Sequence, residues 1–500
     1  MVRIKLSIMM FLEFFIWGAW LPLIFGYLPS LGFVAWEQAL ILNAFALASF
    51  TAMFFSTQFA DRNFAAEKFL AFSQLIGGVA IMGLFFVKGG WTFSVVGVVV
   101  DVSFWLFFTL MLIHSLFYVP TISITNSIAF ANLRDPQREF GPVRLWGTIG
   151  WIAASWPFVF ILVDWPTVPE FGSMPFFDWL GQVFASGKTG ADLRESTSYI
   201  FLVSGVASLL LALFSLGLPH TPPKPAQEAR EKFAWLEAMK LLRVPFILIL
   251  FLVTFFDAAV HYCYFVWTPR FLESDSVGVS GNWVMPVMSI GQVAEIGTMA
   301  FLGYCLKRLG WRITMVIGIL GHAVRFGVFA LIPEVLPQGG QVAMTLAIII
   351  NLLHGICYAF FFATVYIFVD EFFPKDARSS AQGLFNFLIL GLGPFVGTFL
   401  WVFLGEEFKT PRGTVDFGTL FLVPSGVALG AALLLFLFFH PPKKADRLPE
   451  DIEDALARDA TWVGSEKSAG IMEAGRREGI IDPTSKIHPE GIRDPRPPQK

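Results

Sequence analysis

Residues 244–270 read VPFILILFLVTFFDAAVHYCYFVWTPR, with Asp257 as the one acidic residue of the run. The hydrocarbon core of a bilayer is about 30 Å thick and is crossed by about 20 helical residues. The run is therefore long enough to cross a membrane as a single helix. Asp257, His261 and Tyr264 follow one another at spacings of four and three residues, so they lie along one side of that helix. The stretch predicts a membrane-spanning helix with a polar stripe.

The rest of the chain has the same apolar character. Of its 500 residues, 55% are hydrophobic and 15% are charged, and the mean hydropathy is +0.66. Soluble domains carry roughly 25% charged residues, so this composition excludes an ordinary soluble enzyme. The last 60 positions, 441–500, hold 23 of the charged residues. The chain is therefore an apolar body followed by a polar tail.

The overall charge and the cysteines exclude further classes. The chain has 35 basic and 38 acidic residues, and no basic stretch is interleaved with aromatic residues as nucleic-acid binding requires. Cys263, Cys305 and Cys357 fall in apolar runs and form no CxxC pair, so we expect buried thiols and no metal site. Because the sequence also lacks a nucleophile elbow and a phosphate-binding loop, it predicts neither an enzyme nor a cofactor.

Twelve long apolar runs are separated by polar, Pro or Gly residues, and each run predicts one span. The predicted spans are 6–28, 38–60, 69–87, 102–132, 142–164, 198–218, 244–270, 283–306, 312–333, 341–369, 379–404 and 415–440. The expected fold class is an all-α membrane protein with twelve transmembrane helices in two six-helix halves. The halves are 1–219 and 244–440, joined by a cytoplasmic linker at 220–243 and followed by a disordered cytoplasmic tail at 441–500.

Basic residues predict the orientation of the chain in the membrane. With twelve spans, most lysines and arginines of the short loops collect on one side of the bilayer. These residues are Arg3, Lys5, Arg62, Lys68, Arg134, Arg138, Lys307, Arg308, Arg312, Lys375, Arg378 and the basic residues of 224–243 and 443–447. The positive-inside rule then places both termini in the cytoplasm.

A weak internal repeat supports two related halves. Residues 57–62 read TQFADR after the second span, and residues 303–308 read GYCLKR six spans later. Both resemble the Gly-x-x-x-Asp-Arg/Lys loop signature of the major facilitator superfamily, with Thr57 in place of the glycine and Lys307 in place of the aspartate. Parallel six-helix repeats are what this resemblance implies.

Polar side chains at bilayer depth are costly, so each one marks a candidate functional position. Within the predicted spans they recur at helical spacing, which gives certain helices one polar face. The residues are Glu13 with Trp17, His114 with Tyr118, Arg144 with Thr148 and Trp151, Asp257 with His261 and Tyr264, Gln292 with Glu295, and His354 with Tyr358. Together they suit a neutral, hydrogen-bonding ligand that carries a flat ring.

Structural roles compete with these assignments. Arg144 lies near the start of its span, and its guanidinium could reach the cytoplasmic surface. His261 and His354 could be packing histidines, and Glu13 lies only two turns from the cytoplasmic end of its span. Glu295 is too deep in its span to reach the surface, which favours a functional role.

Some residues leave the function undecided. Tyr118, Tyr264 and Tyr358 are of a type that more often packs helices together, so none of them decides the function alone. His322 and Arg325 in the ninth span break the pattern of polar faces. We interpret them as a structural pair.

At these residues the chain resembles a known family, the nucleoside:proton symporters of the major facilitator superfamily, which are bacterial inner-membrane permeases. The stretches that carry the resemblance are 11–20, 118–121 with Asn126, 143–150, 288–295 and 380–383. The span-five motif, VRLWGTIG, is fairly specific, and the match covers most of residues 1–440. The resemblance implies a multi-pass protein of the bacterial inner membrane.

The resemblance also implies a nucleoside held between the two halves, with coupling to proton entry. Substrate contacts of the family carry over by motif to Arg144 and Thr148, and Trp151 stands where the family has an aromatic residue. Gln292 and Glu295 match a glutamine and a glutamate of the family site.

The seventh and tenth spans depart from the family pattern. His261 and Tyr264 stand where family members have amide side chains, and His354 stands in place of a tyrosine. Tyr358 keeps an aromatic residue, but Ala359 replaces an acidic residue that follows it. The departures bear on which base is preferred and on the path of the proton.

The sequence therefore predicts a secondary active transporter that imports nucleosides by proton symport through alternating access. The predicted substrate-binding residues are Arg144, Thr148, Trp151, His261, Tyr264, Gln292, Glu295, His354 and Tyr358. Proton coupling is assigned first to Glu295, with Glu13 and Asp257 as second choices. The expected partners are a nucleoside, protons and the lipid bilayer, and the protein is expected to be monomeric. Two alternatives stay open: transport of a sugar or another hydroxyl-rich solute, and a membrane sensor that signals through its tail.

Overall fold

The computed structural model describes residues 2–51, 64–95, 98–223, 241–372 and 375–441. Within these residues the chain is mostly helical, and β1 (Thr92–Val95) and β2 (Val98–Asp101) pair as an antiparallel hairpin. The loop signature at 57–62, most of the predicted linker and nearly all of the tail lie outside the described residues.

The helices of the first part of the chain follow the predicted spans, except that two short helices, Phe176–Ala185 and Gly190–Thr197, lie between the fifth and sixth spans. In chain order the helices are α1 (Val2–Ser30), α2 (Ala35–Leu42), α3 (Ala44–Thr51), α4 (Ala66–Leu84), α5 (Val102–Asn132), α6 (Pro136–Ala153), α7 (Trp156–Ile161), α8 (Phe176–Ala185), α9 (Gly190–Thr197) and α10 (Tyr199–Ser215). Asp101 caps α5 by accepting a hydrogen bond from the Phe104 amide at 3.0 Å. Such a cap satisfies one of the amide donors that a helix start leaves without a partner.

The second part of the chain is also helical, with two π-helical segments. The elements are α11 (Pro245–Glu273), α12 (Val284–Val335), α13 (Gln341–Ile350), α14 (Leu353–Cys357), the first π-helix (Tyr358–Ala363), α15 (Thr364–Phe372), α16 (Lys375–Asn386), the second π-helix (Phe387–Leu392), α17 (Gly393–Glu407) and α18 (Phe417–Phe438). The π-helices interrupt the tenth and eleventh predicted spans.

Among the described residues, nine helical segments are long and apolar enough to cross a membrane. One of them, Gly281–Val335, has 55 residues, and Gly310 divides it with φ 72° and ψ 174°. Glycine adopts this conformation at little cost, so the segment comprises the eighth and ninth predicted spans. The second and fifth predicted spans are each broken into two shorter helices. The helical multi-pass fold is thus confirmed, while the number twelve stays a prediction.

Glycines let two pairs of helices touch through their backbones. A Cβ atom on Gly150 of α6 would lie 2.1 Å from the carbonyl oxygen of Phe11 in α1. A Cβ atom on Gly355 of α14 would lie 2.4 Å from the amide nitrogen of Glu295 in α12. Small residues at such positions allow close helix approach in membranes. The polar residues of α6, α12 and α14 are therefore held at short range from neighbouring helices.

Candidate substrate site

A cavity of about 480 Å³ lies between the two predicted halves. Its volume is in the range of pockets that bind small molecules. Eight of the nine predicted substrate-binding residues line it: Arg144, Thr148, Trp151, His261, Gln292, Glu295, His354 and Tyr358. Much of the remaining wall is aromatic and includes Phe14, Trp17, Phe45, Tyr262, Phe265 and Phe362.

Helix α6 provides one wall of the cavity. Arg144, Thr148 and Trp151 all face the cavity from this helix. The Arg144 Cζ atom lies 3.9 Å from the ring centroid of Phe14, a cation–π contact that holds the guanidinium in the wall. Trp151 meets Trp17 edge to face, with 5.2 Å between their ring centroids. Arg144 therefore lies at the cavity and not at the membrane surface.

The opposite wall comes from α11, α12, α14 and the first π-helix. Gln292 and Glu295 face the cavity from α12, and Nε2 of Gln292 lies 3.2 Å from Nε2 of His354. Tyr358 is the first residue of the π-helix, and π-turns within α-helices are frequent at functional sites. The His261 ring lies 5.0 Å from the His354 ring and 6.3 Å from the Tyr358 ring.

Arg144 and Glu295 present opposite charges to the cavity from opposite walls. The two groups interact electrostatically. Among the described residues, however, no ion pair within 4.0 Å joins them, and neither side chain has a hydrogen-bond partner. A guanidinium with five donors and a carboxylate with two acceptor oxygens are thus available to a ligand in the cavity.

Glu13 lies outside the cavity in a network of its own. Its side chain is fully buried, and its carboxylate accepts hydrogen bonds from Thr121 Oγ1 at 2.7 Å and from Gln74 Nε2 at 2.9 Å. Its backbone carbonyl accepts a third bond from the Tyr118 hydroxyl at 2.6 Å. These bonds join α1, α4 and α5. The network holds three helices together, and among the described residues its hydrogen bonds do not extend to a residue that lines the cavity, although Glu13 interacts electrostatically with Arg144 in the wall.

Tyr264 is the one predicted substrate contact that does not line the cavity. It is fully buried, and its hydroxyl donates to the carbonyl of Met288 at 3.2 Å. Its ring lies 4.7 Å from the His354 ring, on the side away from the cavity. Seven residues bring a helix back to nearly the same side, whereas three leave it about 60° off. Tyr264 therefore shares its side of α11 with Asp257 rather than with His261.

Asp257 is also fully buried and lies behind the cavity wall. Neither of its carboxylate oxygens has a hydrogen-bond partner among the described residues, and His322 Nε2 lies 3.6 Å from Oδ2. Arg325 donates hydrogen bonds to Nδ1 of His322 and to Nδ1 of His354, each at 3.0 Å. The predicted pair of His322 and Arg325 is in contact, but it also reaches the cavity wall through His354, which the sequence did not indicate.

The phenylalanines of the wall, unlike Trp17, Trp151 and Tyr358, were not predicted from the sequence. Phe45 stacks on Trp17 with 4.7 Å between ring centroids and an interplanar angle of 11°. With 57 phenylalanines in the chain, no single one carries a signal that it lines a cavity. Tyr366, another lining residue, donates to Asn386 Oδ1 at 2.6 Å.

Direct contacts between the two halves lie at the ends of the predicted spans that the sequence places away from the cytoplasm. The polar lining residues Ser123 and Asn386 fall in the halves of their spans that the sequence places toward the cytoplasm. On the opposite side, Arg270 donates a hydrogen bond to the carbonyl of Phe25 and joins the two halves. Residues 165–197, which connect the fifth and sixth predicted spans, add a contact between the halves, since the Trp283 indole N–H and the Asn282 amide both donate to the carbonyl of Phe184.

The chain matches a known family along nearly its whole apolar body. The family model described as "Nucleoside H+ symporter" matches residues 1–177 and 180–444. The chain belongs to this family. The predicted resemblance is thereby confirmed, and the family is one of multi-pass membrane transporters, not of enzymes.

Individual relatives agree with the family match. YegT of Escherichia coli (strain K12) is 31% identical over 444 residues, which cover 87% of this chain and 93% of YegT. The xanthosine permease of the same organism is 26% identical over 461 residues, which cover 89% of this chain and 98% of the permease.

Solved structures confirm the fold. The crystal structure of the nucleoside transporter NupG superposes with a TM-score of 0.69 at 23% identity, covering 88% of this chain and all of that chain. A D-xylose-proton symporter superposes with a TM-score of 0.62 at 15% identity, covering 90% of this chain and 100% of that chain. At these identities the likeness concerns the fold alone.

Proposed function

We propose that this protein imports nucleosides by proton symport, with the nucleoside bound in the 480 Å³ cavity. The observation that carries the proposal is the placement of Arg144 and Glu295 on opposite walls of one cavity. They face the same aromatic-lined space from opposite walls and have no hydrogen-bond partner among the described residues. A nucleoside has a planar base and a ribose with several hydroxyls, so it fits both parts of this wall.

The lining residues suggest a role for each part of the ligand. Trp151 and Tyr358 would flank the base, since aromatic planes stack on any nucleobase. Arg144 and Gln292 would donate hydrogen bonds to base carbonyls or hydroxyls, and Glu295 would accept a bond from a ribose hydroxyl.

Glu295 is our first candidate for proton coupling. Its carboxylate lies in the cavity wall, where it can exchange a proton with the cytoplasmic side and also bond to the ligand. Proton entry removes its negative charge and so changes its interaction with Arg144 across the cavity. A change of this kind links the proton to the occupancy of the site.

Transport would proceed by rocking of the half at 1–219 against the half at 244–440. The contacts of Arg270 with Phe25 and of Trp283 with Phe184 would break when the outer side opens. The proposal places the protein, as a monomer, in the bacterial inner membrane. Both termini would lie in the cytoplasm, because the basic loop residues collect on that side.

The test is uptake of labelled uridine and adenosine in a permease-deficient bacterial strain, across pH and with a protonophore. We expect accumulation that the protonophore abolishes, and we expect Glu295→Gln to lose it. Glu170→Gln is the matched control, because Glu170 is exposed in the predicted outer loop and has no side-chain partner among the described residues. Wild-type uptake by Glu295→Gln at every pH would refute the coupling role, and no accumulation of any nucleoside would refute the substrate class.

The two alternatives make different predictions. A sugar transporter would be inhibited by free ribose or a disaccharide better than by nucleosides, and family membership does not favour it. A sensor would need its tail, so its function would be lost when residues 442–500 are deleted.

A further inference from the structure

Five buried polar side chains connect the interior of the second half to the cavity wall. We refer to Asp257, His322, Arg325, His354 and Gln292 as the relay. The steps are 3.6 Å from Asp257 Oδ2 to His322 Nε2, 3.0 Å from His322 Nδ1 to Arg325 Nη2, 3.0 Å from Arg325 Nη1 to His354 Nδ1, and 3.2 Å from His354 Nε2 to Gln292 Nε2. Each of the five is less than one tenth exposed, and the last two line the cavity.

Arg325 determines the tautomers of both histidines. A guanidinium only donates hydrogen bonds, so Nδ1 of His322 and Nδ1 of His354 must both accept. Each neutral ring therefore carries its proton on Nε2. The Nε2–H of His322 faces Asp257, and the Nε2–H of His354 faces the side-chain amide of Gln292. Since two donors do not bond to each other, Gln292 is expected to offer its oxygen to His354.

Asp257 is the last residue of the relay, counted from the cavity, and its carboxylate has no hydrogen-bond partner among the described residues. The titratable or charged groups around it are His322 and Arg325 of α12, Cys357 of α14, and His261 one turn further along α11. A buried carboxylate without hydrogen bonds is costly, and one proton on it removes the charge that must otherwise be stabilised.

We propose that Asp257 and His322 form a proton-binding site and that the relay transmits its charge state to Gln292. When Asp257 is charged, it attracts the Nε2–H of His322, and Arg325 bridges the two histidines. His354 then occupies the amide oxygen of Gln292. When Asp257 binds a proton, the attraction is lost, the relay loosens, and the amide oxygen of Gln292 becomes free to accept a hydrogen bond from the nucleoside, in addition to the donor role of its NH2 group.

This arrangement makes proton binding and nucleoside binding favour each other, as symport requires. The inference rests on the proposed function, because it assigns a proton site to the same nucleoside cavity. It adds a second proton-binding residue. The proposed function assigns the proton to Glu295 in the cavity wall, whereas this inference assigns a proton also to Asp257 behind the wall.

The first experiment measures nucleoside affinity against pH with purified full-length protein in detergent, using uridine and adenosine. We expect wild-type affinity to rise about 10-fold between about pH 8 and about pH 5.5, within the usual range of coupling between two sites. Asp257→Asn should change by less than about 2-fold, and Asp257→Glu should keep the dependence. The matched control is Thr254→Ala, one turn earlier on α11, where the buried hydroxyl donates to the Leu250 carbonyl and has no second partner within the part of the chain that the structure describes.

The second experiment separates coupling from a merely structural role in proteoliposomes. Asp257→Asn should still exchange labelled nucleoside against unlabelled nucleoside but should not accumulate it under a proton gradient. A residue that only supports the fold would lose exchange and accumulation together. The proposal is overturned if Asp257→Asn keeps wild-type accumulation and a wild-type pH dependence of affinity, or loses exchange and accumulation in equal measure.

A third measurement needs neither a variant nor a nucleoside. Infrared difference spectra of the wild-type protein between acid and neutral pH should contain a band from a buried protonated carboxyl. Labelling all aspartate carboxyls with ¹³C should shift that band if Asp257 carries the proton. A band that shifts only with ¹³C-glutamate assigns the proton to a glutamate and overturns the proposal. If the wild type binds no nucleoside, the proposed function is refuted. The infrared result does not depend on nucleoside binding and still tests whether Asp257 holds the proton.

Discussion

Replacement of Arg144 by lysine tests whether the cavity recognises its ligand through a planar guanidinium. Lysine keeps the positive charge but loses the forked donors and the flat contact with Phe14, whose ring centroid lies 3.9 Å from Arg144 Cζ. The cation–π contact contributes about 0.5–1 kcal/mol, and one charge-assisted hydrogen bond to a ligand contributes about 1.5–3 kcal/mol. The two contributions add to about 2–4 kcal/mol. Loss of the lower amount, about 2 kcal/mol, weakens nucleoside affinity about 30-fold.

The assay is equilibrium binding of uridine and adenosine to purified protein, with uptake measured in parallel. Arg138→Lys is the control, because Arg138 lies on the same helix but is exposed, where it pairs with Asp135 at 3.6 Å. We expect the control to bind as the wild type does. If Arg144→Lys binds within about 3-fold of the wild type, its guanidinium contributes less than 1 kcal/mol and the assignment of the α6 wall is wrong.

Three further predictions test other parts of the structure. Tyr358→Phe should keep nucleoside affinity, and Tyr358→Ala should weaken it about 5-fold to 150-fold. The reason is that stacking of a base on an aromatic ring contributes about 1–3 kcal/mol. Equal affinities of the two variants in a binding assay would exclude stacking. Gly355→Ala should lower stability by about 1–3 kcal/mol, since its Cβ would lie 2.4 Å from the Glu295 amide nitrogen. Thermal unfolding in detergent measures this, with Gly181→Ala as the control because nothing lies within 4 Å of its Cβ. Deletion of residues 442–500 should leave uptake unchanged, and loss of uptake by stable, membrane-inserted protein would point to a role for the tail.

Much of the fold could be predicted because the bilayer imposes simple rules on sequence. A span must be about 20 residues long and mostly apolar, so runs such as 244–270 are visible without any structural information. The structure places α11 at Pro245–Glu273, within a few residues of that run. The second and fifth spans were harder to predict, since breaks such as that between α6 and α7 depend on local packing and not on mean hydropathy.

The cavity wall was partly predictable because residues four apart share a helix face. Arg144 with Thr148 and His354 with Tyr358 line the cavity as their spacing indicates. Tyr264 is three residues from His261 rather than four, and it lies outside the wall. Spacing defines a face of a helix, but it does not say whether that face meets the cavity or a neighbouring helix.

The apolar runs and the spacing of their polar residues thus specify a helical membrane transporter and a short list of candidate residues. They cannot specify which helices meet, because helix contacts depend on close approach at glycines such as Gly150 and Gly355. Packing alone separates Glu13, whose carboxylate is satisfied by Thr121 and Gln74, from Asp257, whose carboxylate has no hydrogen-bond partner among the described residues. The two acids look alike in sequence, but the desolvation of a carboxylate depends on the donors that neighbouring helices bring to it.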